Sequence, residues 1–327
     1  MPIDWAPFVD TVRRHQRFLL TTHVRPDGDG LGSMQALASV LRSLGKEVQL
    51  VIPSSLPTRY RFLDQEGCIE HFEPPGDRWG QAEVILVLDT GTWNQLDGVG
   101  PFLRGHDAVK IVIDHHQTQD NLGGICLVDA TAEATGRLAF EAITALGAPL
   151  SATAANNLFV ALAMDTGWFR HSNATAATFE LAGRLIRAGA RPELLYEQLF
   201  EQSTLPRLKL IGLVLERLQV LPSGRVAYTE IRLADYQKTG ATPQDTEELV
   251  NYARSLIGVE VGLLFMEQPR GGVKVSFRSR SVDVARVAER FGGGGHRLAS
   301  GATLKTTLEE ARQRVLDAVS AAVEAAA

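Results

Sequence analysis

Apolar residues fall along this chain in two rhythms. Short continuous runs at 83–89 and 108–114 have the length and branched content of strands buried on both faces, and 17–22 and 47–52 also read as strands. A further strand is expected at 125–129 and a short one near Ile69, within an otherwise irregular stretch at 53–80. Between the runs, apolar residues recur every three or four positions. Leu31, Met34, Leu37, Ala38 and Leu41 share a face of an expected amphipathic helix that begins near Ser33 and ends near Leu44, with Gly45 as its cap. Helical spacing also covers 8–16, 131–147, 151–164 and 174–189. Strands alternating with helices predict an α/β fold built on a doubly wound, mainly parallel sheet.

The pattern changes past residue 192. A leucine-rich helical connector is expected at 206–220, then strands at 225–232, 258–267 and 272–279, and helices at 244–255, 283–290 and 307–325. The expected organisation is a first domain at 1–192, a helical linker at 193–220 and a smaller α+β domain at 221–327, with the active site in the cleft between the domains.

Composition narrows the setting. At 327 residues and 45% hydrophobic, the chain suits two ordinary domains with substantial cores. No apolar run reaches bilayer length, and Met1-Pro2-Ile3-Asp4-Trp5 lacks a basic-then-apolar leader pattern. Two cysteines, Cys68 and Cys126, show no metal-type spacing. The expectation is a cytoplasmic protein without a membrane partner. A net charge of −5 argues against a basic nucleic-acid coat but not against a nucleotide substrate, because bound cations reverse the local sign of an acidic site.

The candidate chemistry lies at the ends of the expected strands. After the first comes Thr22-His23-Val24-Arg25-Pro26-Asp27-Gly28-Asp29-Gly30-Leu31-Gly32-Ser33, where the three glycines are expected to let the backbone turn sharply. The twelfth position from Asp27 is Ala38, so this is not an EF-hand; no Gly-Lys-Ser/Thr follows, so it is not a Walker A loop. Other strands end in Asp89 and Asp114-His115-His116, and the helix at 151–164 leads into Asp165. In a parallel sheet these carboxyl ends share one edge, where such folds bind ligands. Carboxylates gathered there repel one another unless cations neutralise them. Mixed Asp and His donors suit Mn²⁺, Fe²⁺, Co²⁺ or Zn²⁺, and their number suffices for two ions sharing a carboxylate. Adjacent strand residues point to opposite sides, so His115 and His116 are expected to do different work.

Together these motifs resemble those of the DHH phosphoesterases. Asp114-His115-His116 resembles the name-giving motif, and His23 with Pro26-Asp27-x-Asp29-Gly30 resembles the first motif. Asp89 and Asp165 match the second and fourth, and Phe291-Gly292-Gly293-Gly294-Gly295-His296 resembles the glycine-rich motif of the DHH-associated domain. The resemblance implies two divalent ions, Mn²⁺ first, with Mg²⁺, Co²⁺ or Fe²⁺ as the other choices. It places His23 and Asp27 on one ion, Asp29, His115 and Asp165 on the other, Asp89 between them, and a water or hydroxide between the ions as nucleophile. His116 is implied to face the substrate phosphate, either positioning it or assisting the leaving group. Asp114 either orients a histidine or caps its loop.

In the second domain, Lys274, Ser276, Arg278 and Arg280 share one face of a strand. That face is either a solvated basic surface or, beside Gly293, Gly294, Gly295 and His296, a wall that grips phosphate. The overall resemblance is to the nanoRNase/pAp-phosphatase branch. It implies hydrolysis of short RNA and of 3′-phosphoadenosine 5′-phosphate (pAp), with cyclic di-AMP or pApA as alternative substrates. A nucleotide-binding regulator without catalysis is the alternative of a different class. A homodimer is left open.

Overall fold

The computed structural model describes residues 3–326. They divide after Gln202 into two compact units, each built on a six-stranded sheet.

The first unit runs α1 (Ala6–Arg14), β1 (Arg17–Thr21), α2 (Gly28–Ser43), β2 (Glu47–Ile52), β3 (Ile69–His71), β4 (Val84–Leu88), α3 (Val99–Gly105), β5 (Val109–Asp114) and β6 (Ile125–Val128). The helices α4 (Thr135–Ala145), α5 (Ala152–Asp165), α6 (Ala176–Arg187) and α7 (Pro192–Phe200) complete it. The sheet order is β3-β2-β1-β4-β5-β6 and each neighbouring pair is parallel, as the alternating pattern predicts. Successive strand residues face opposite layers. Phe18, Leu20, Leu86 and Ile113 pack with α1, α2, α4 and α5, while Leu19, Ile85, Val87 and Val112 pack with Trp79, Leu96 and Leu103 on the other face. The chain leaves β1 toward β2 on one side and later returns to β4 on the other, so β1 and β4 flank the switch point where such sheets open a crevice.

Helix α2 corrects the sequence expectation. It starts at Gly28, not near Ser33, and it is buried almost all round rather than on one face. Asp27 is its N-cap, accepting from the N–H groups of Asp29 and Gly30 at 3.0 and 3.2 Å, and this nucleates the helix inside the glycine-rich stretch. The glycines therefore serve packing rather than a turn. A Cβ on Gly28 would lie 2.4 Å from Met164 Cγ, and one on Gly32 would lie 2.4 Å from the Asn157 carbonyl of α5. Close approach lets α2 bury Leu31, Met34, Leu37 and Leu41 completely, each contributing about 1.5–3 kcal/mol. Helix α3 is not expected from apolar spacing, and α7 falls in the stretch expected as a helical linker. The seven residues of α3 include two glycines and a proline, whose weak helix propensity hides the element.

The second unit runs α8 (Leu205–Glu216), β7 (Gln219–Val220), β8 (Val226–Ile231), α9 (Leu233–Thr239), α10 (Val250–Arg254), β9 (Val261–Glu267), β10 (Val273–Ser279), α11 (Val284–Glu289), β11 (Gly294–His296), β12 (Ala299–Leu304) and α12 (Leu308–Ala325). Its strand order is β11-β12-β10-β9-β8-β7, antiparallel except for the β8–β9 pair. Val261, Leu263, Phe265, Val275 and Phe277 pack with Val315 and Val319 of α12. Leu264 and Met266 face the opposite way, toward Leu210 and Val214, so α8 is packed into this unit.

Candidate metal centre

Three strand ends and two helix ends bring the predicted acids and imidazoles together. His23 follows β1, Asp89 follows β4, and Asp114 ends β5 with His115 and His116 directly after it. Asp27 and Asp29 open α2, and Asp165 closes α5. His23 Nε2 lies 3.7 Å from Asp27 Oδ1 and 3.4 Å from Asp89 Oδ2. His115 Nε2 lies 3.7 Å from Asp29 Oδ2, 3.6 Å from Asp89 Oδ1 and 3.5 Å from Asp165 Oδ2. Donor atoms of His23, Asp27 and Asp89 lie within 4.8 Å of one another, as do those of Asp29, His115 and Asp165. Asp89 thus offers one oxygen to each side.

The tautomers suit ligation. His23 Nδ1 lies 2.9 Å from the Val24 carbonyl, and His115 Nδ1 lies 3.1 Å from the Ala132 carbonyl. A carbonyl only accepts, so each Nδ1 carries a proton, and Nε2 is the nitrogen aimed at the carboxylates and able to ligate a cation that displaces its proton. His116 differs. Its Nδ1 donates to Asp114 Oδ1 at 2.8 Å, its ring is 56% exposed, and its Nε2 remains available for other work. Although Asp89, His115 and His116 also form a close donor group, the bond to Asp114 competes for His116 Nδ1.

Asp114 is fully buried and held from several sides. Its Oδ1 accepts from the backbone N–H groups of His115 and His116, and its Oδ2 accepts from Gln119 Nε2 at 2.5 Å. Burial acts to raise its pKa, but the donors from His116 and Gln119 prevail and hold it below the usual carboxylate range. The same bond pushes His116 up to about 9, against the cost of burial.

The site is electrostatically hungry for cations. Burial first, then Asp89, Asp165 and Asp27, hold the Asp29 carboxyl well above its usual range. Burial, joined by Asp89 and Asp27 and opposed by His115, raises Asp165 to about 6. For His23, burial pulls the pKa down, but Asp27 and Asp89 outweigh it and push it up to about 11. Burial would likewise raise Asp27, yet His23 and two backbone N–H groups hold it low. Thr22 Oγ1 is buried without a hydrogen-bond partner among the described residues, and a Cβ on Gly30 would lie 2.3 Å from it and 3.3 Å from Asp89 Oδ2. Oxygen and imidazole donors with an uncompensated negative potential fit one or more hard-to-borderline divalent ions.

Three residues beyond the expected set contribute to the site. Thr135 and Gly136, which open α4, donate their N–H groups to Asp29 Oδ2 and Oδ1 at 2.7 and 2.8 Å, and Thr135 Oγ1 donates to Asp89 Oδ1 at 2.9 Å. Gln119 holds Asp114. A helix-start signal at Thr135 was available, but which acids it meets is set by tertiary structure.

In the second unit, β10 alternates buried Val273, Val275 and Phe277 with outward Lys274, Ser276 and Arg278. Burial, and then the neighbouring Arg254, pull Arg278 below its ordinary pKa. Arg280 Nη2 donates to the Arg254 carbonyl at 3.2 Å. Arg254 is a cation the sequence reading did not single out. The glycine run forms an exposed edge strand paired with β12, Gly294 opposite Gly301 and His296 opposite Ala299. A Cβ on Gly293 would lie 2.2 Å from the Gly301 carbonyl, and one on Gly295 would lie 2.7 Å from the Ala299 carbonyl, whereas Gly294 faces open space.

Comparison with known proteins covers nearly the whole chain. Residues 17–164 match the model of the DHH family, N-terminal domain, and residues 223–325 match that of the DHHA1 domain. A bifunctional oligoribonuclease and PAP phosphatase, NrnA, of Thermus thermophilus is 32% identical, over 92% of this chain and 88% of that protein. Its namesake in Bacillus subtilis is 27% identical, over 90% and 92%. The crystal structure of an exopolyphosphatase-related protein from Bacteroides fragilis superposes with a TM-score of 0.89 at 25% identity, covering 97% of this chain and 95% of that one. Among the described residues no helix is long and apolar enough to cross a membrane.

Proposed function

This chain belongs to the DHH family, and from that premise we propose that it is a metal-dependent phosphoesterase that hydrolyses short oligoribonucleotides to mononucleotides and pAp to AMP. The observation that carries the proposal is the meeting of His23, Asp27, Asp29, Asp89, His115 and Asp165 at one sheet edge. Relatives along most of the chain's length are named for both activities.

His23 and Asp27 would hold one divalent ion, Asp29, His115 and Asp165 a second, and Asp89 would bridge them. Mn²⁺ is the preferred ion for this mixed donor set. When bound, such a pair supplies activated water and neutralises charge on the phosphate oxygens.

The chain's own residues do the rest. In hydrolysis the water gives up a proton as its oxygen bonds to phosphorus, the bond to the ester oxygen breaks, and that oxygen takes up a proton. His116 carries a proton at Nδ1 that Asp114 retains, and Gln119 keeps Asp114 in place. Its Nε2 proton is therefore the one offered, to a phosphate oxygen or to the leaving ester oxygen. Arg278, Arg280 and His296, with the N–H groups of Gly293, Gly294 and Gly295, are the phosphate-binding groups proposed for the second unit.

The test is direct. Purified protein with Mn²⁺ is incubated separately with pAp, labelled dinucleotides, pApA and cyclic di-AMP. Release of AMP and phosphate from pAp, and of mononucleotides from dinucleotides, is expected to be faster than turnover of cyclic di-AMP. Binding of these nucleotides with no product from any of them would contradict the proposal and favour a regulator.

A further inference from the structure

We propose that Thr135 is a positioning residue of the metal centre, its hydroxyl fixing Asp89 relative to Asp29. The inference rests on the metal-centre reading above and extends it to a residue outside the ligand set.

Asp29 and Asp89 come from different elements, the first turn of α2 and the end of β4. Among the described residues no backbone hydrogen bond joins those two elements and sets the separation of the carboxylates. Thr135 reaches both. Its N–H donates to Asp29 Oδ2 at 2.7 Å while its hydroxyl donates to Asp89 Oδ1 at 2.9 Å. Gly136 completes the grip on Asp29 at 2.8 Å. Asp29 thus occupies the N-terminus of α4, where unpaired N–H groups and the helix dipole favour an anion.

The anchor itself does not yield. Thr135 is completely buried, and a Cβ on Gly136 would lie 2.6 Å from Ala161 Cβ, so the first turn of α4 is pressed onto α5. Asp89 needs such a restraint. Its φ of 62° lies in the left-handed region and its N–H donates to the Ile113 carbonyl at 3.0 Å, which hold the main chain but leave the side-chain torsions free. With Oδ1 held by Thr135, Oδ2 is directed to His23 at 3.4 Å and Oδ1 keeps His115 at 3.6 Å. Losing the hydroxyl frees Asp89 to rotate about its side-chain bonds and spoils the shared position, while the main-chain bonds to Asp29 survive.

The test titrates Mn²⁺ into metal-free protein and follows the free-ion electron paramagnetic resonance signal, which reports count and affinity without turnover. Wild type, Thr135→Ser, Thr135→Ala and Thr135→Val are compared, with thermal melting as the control for folding. The serine variant is expected to bind like wild type, and the alanine and valine variants to bind about 10–100-fold more weakly, the usual penalty for losing a partner of a metal ligand. If valine does not fold, the serine and alanine pair decides, since those side chains differ only by the hydroxyl. Alanine binding as tightly as serine would overturn the role of Thr135 and leave the metal centre standing. Wild type that takes up no Mn²⁺ would overturn both.

Discussion

His23 Nε2 lies 3.4 Å from Asp89 Oδ2, joining the ends of the neighbouring parallel strands β1 and β4. That contact sits at the switch point of the sheet and links the first acid motif to the rest of the site. It also leaves Asp89 beside an imidazole of each donor group, His23 through Oδ2 and His115 through Oδ1.

Asp89→Asn is the cleanest probe of that dependence. Asparagine tolerates the left-handed φ of 62° and keeps the shape of the side chain, so the fold should survive. Turnover of pAp should fall by more than about 100-fold, beyond the loss of an outer partner. Asp89→Ala should lose turnover as well and melt lower, because alanine pays about 1 kcal/mol or more in that conformation. Steady-state rates with melting curves separate the two effects.

His116 has a distinct task if Asp114 holds its Nδ1 and leaves Nε2 facing outward. His116→Ala should lower dinucleotide turnover about 10²–10⁴-fold, the usual share of a proton donor. A 4-nitrophenyl ester of a nucleotide leaves without needing that proton, so its hydrolysis should fall far less. Equal losses on both substrates would make His116 a phosphate-positioning group instead.

Neighbouring glycines should behave differently. Gly293→Ala drives a methyl group toward the Gly301 carbonyl and should lower the melting temperature. Gly294 faces open space, so Gly294→Ala should fold normally. If the edge strand contacts the substrate, Gly294→Ala will raise KM for pAp while leaving Mn²⁺ binding unchanged.

Asp235 supplies a pH-dependent tie between α8 and α9. It accepts from both terminal nitrogens of Arg217 and from the Arg232 N–H. Burial would raise its pKa, but Arg217 prevails and lowers it. A carboxyl lowered on folding stabilises above its ordinary pKa, about 3.9, and the benefit is lost as pH falls through the folded value. Asp235→Asn should cost about 2 kcal/mol at pH 7, below the figure for a fully buried pair because Arg217 is partly exposed. The difference from wild type should shrink in denaturant melts toward pH 3.

Much of this was legible in the residues. The apolar runs at β1, β4 and β5 are buried on both faces, so their pattern is continuous and their order along the sheet edge can be read. The acids at their ends declare the site. Glycines suggest a turn, which sets the expected start of α2 too late, whereas here their missing side chains admit Met164 and α5. Thr135 and Gln119 were missed for another reason. Their importance lies in the partners they meet, Asp89 and Asp114, and a contact between distant segments leaves no mark in local spacing. Arg254 is in the same position, since only the fold places it beside Arg278.

The central claim is that scattered acids and imidazoles hold a pair of divalent ions around Asp89. Anomalous diffraction from crystals grown with Mn²⁺ tests it most directly. Two peaks are predicted, one beside His23 and Asp27, the other beside Asp29, His115 and Asp165, with Asp89 between them. Full Mn²⁺ occupancy elsewhere, with no peak touching Asp89, would contradict the account.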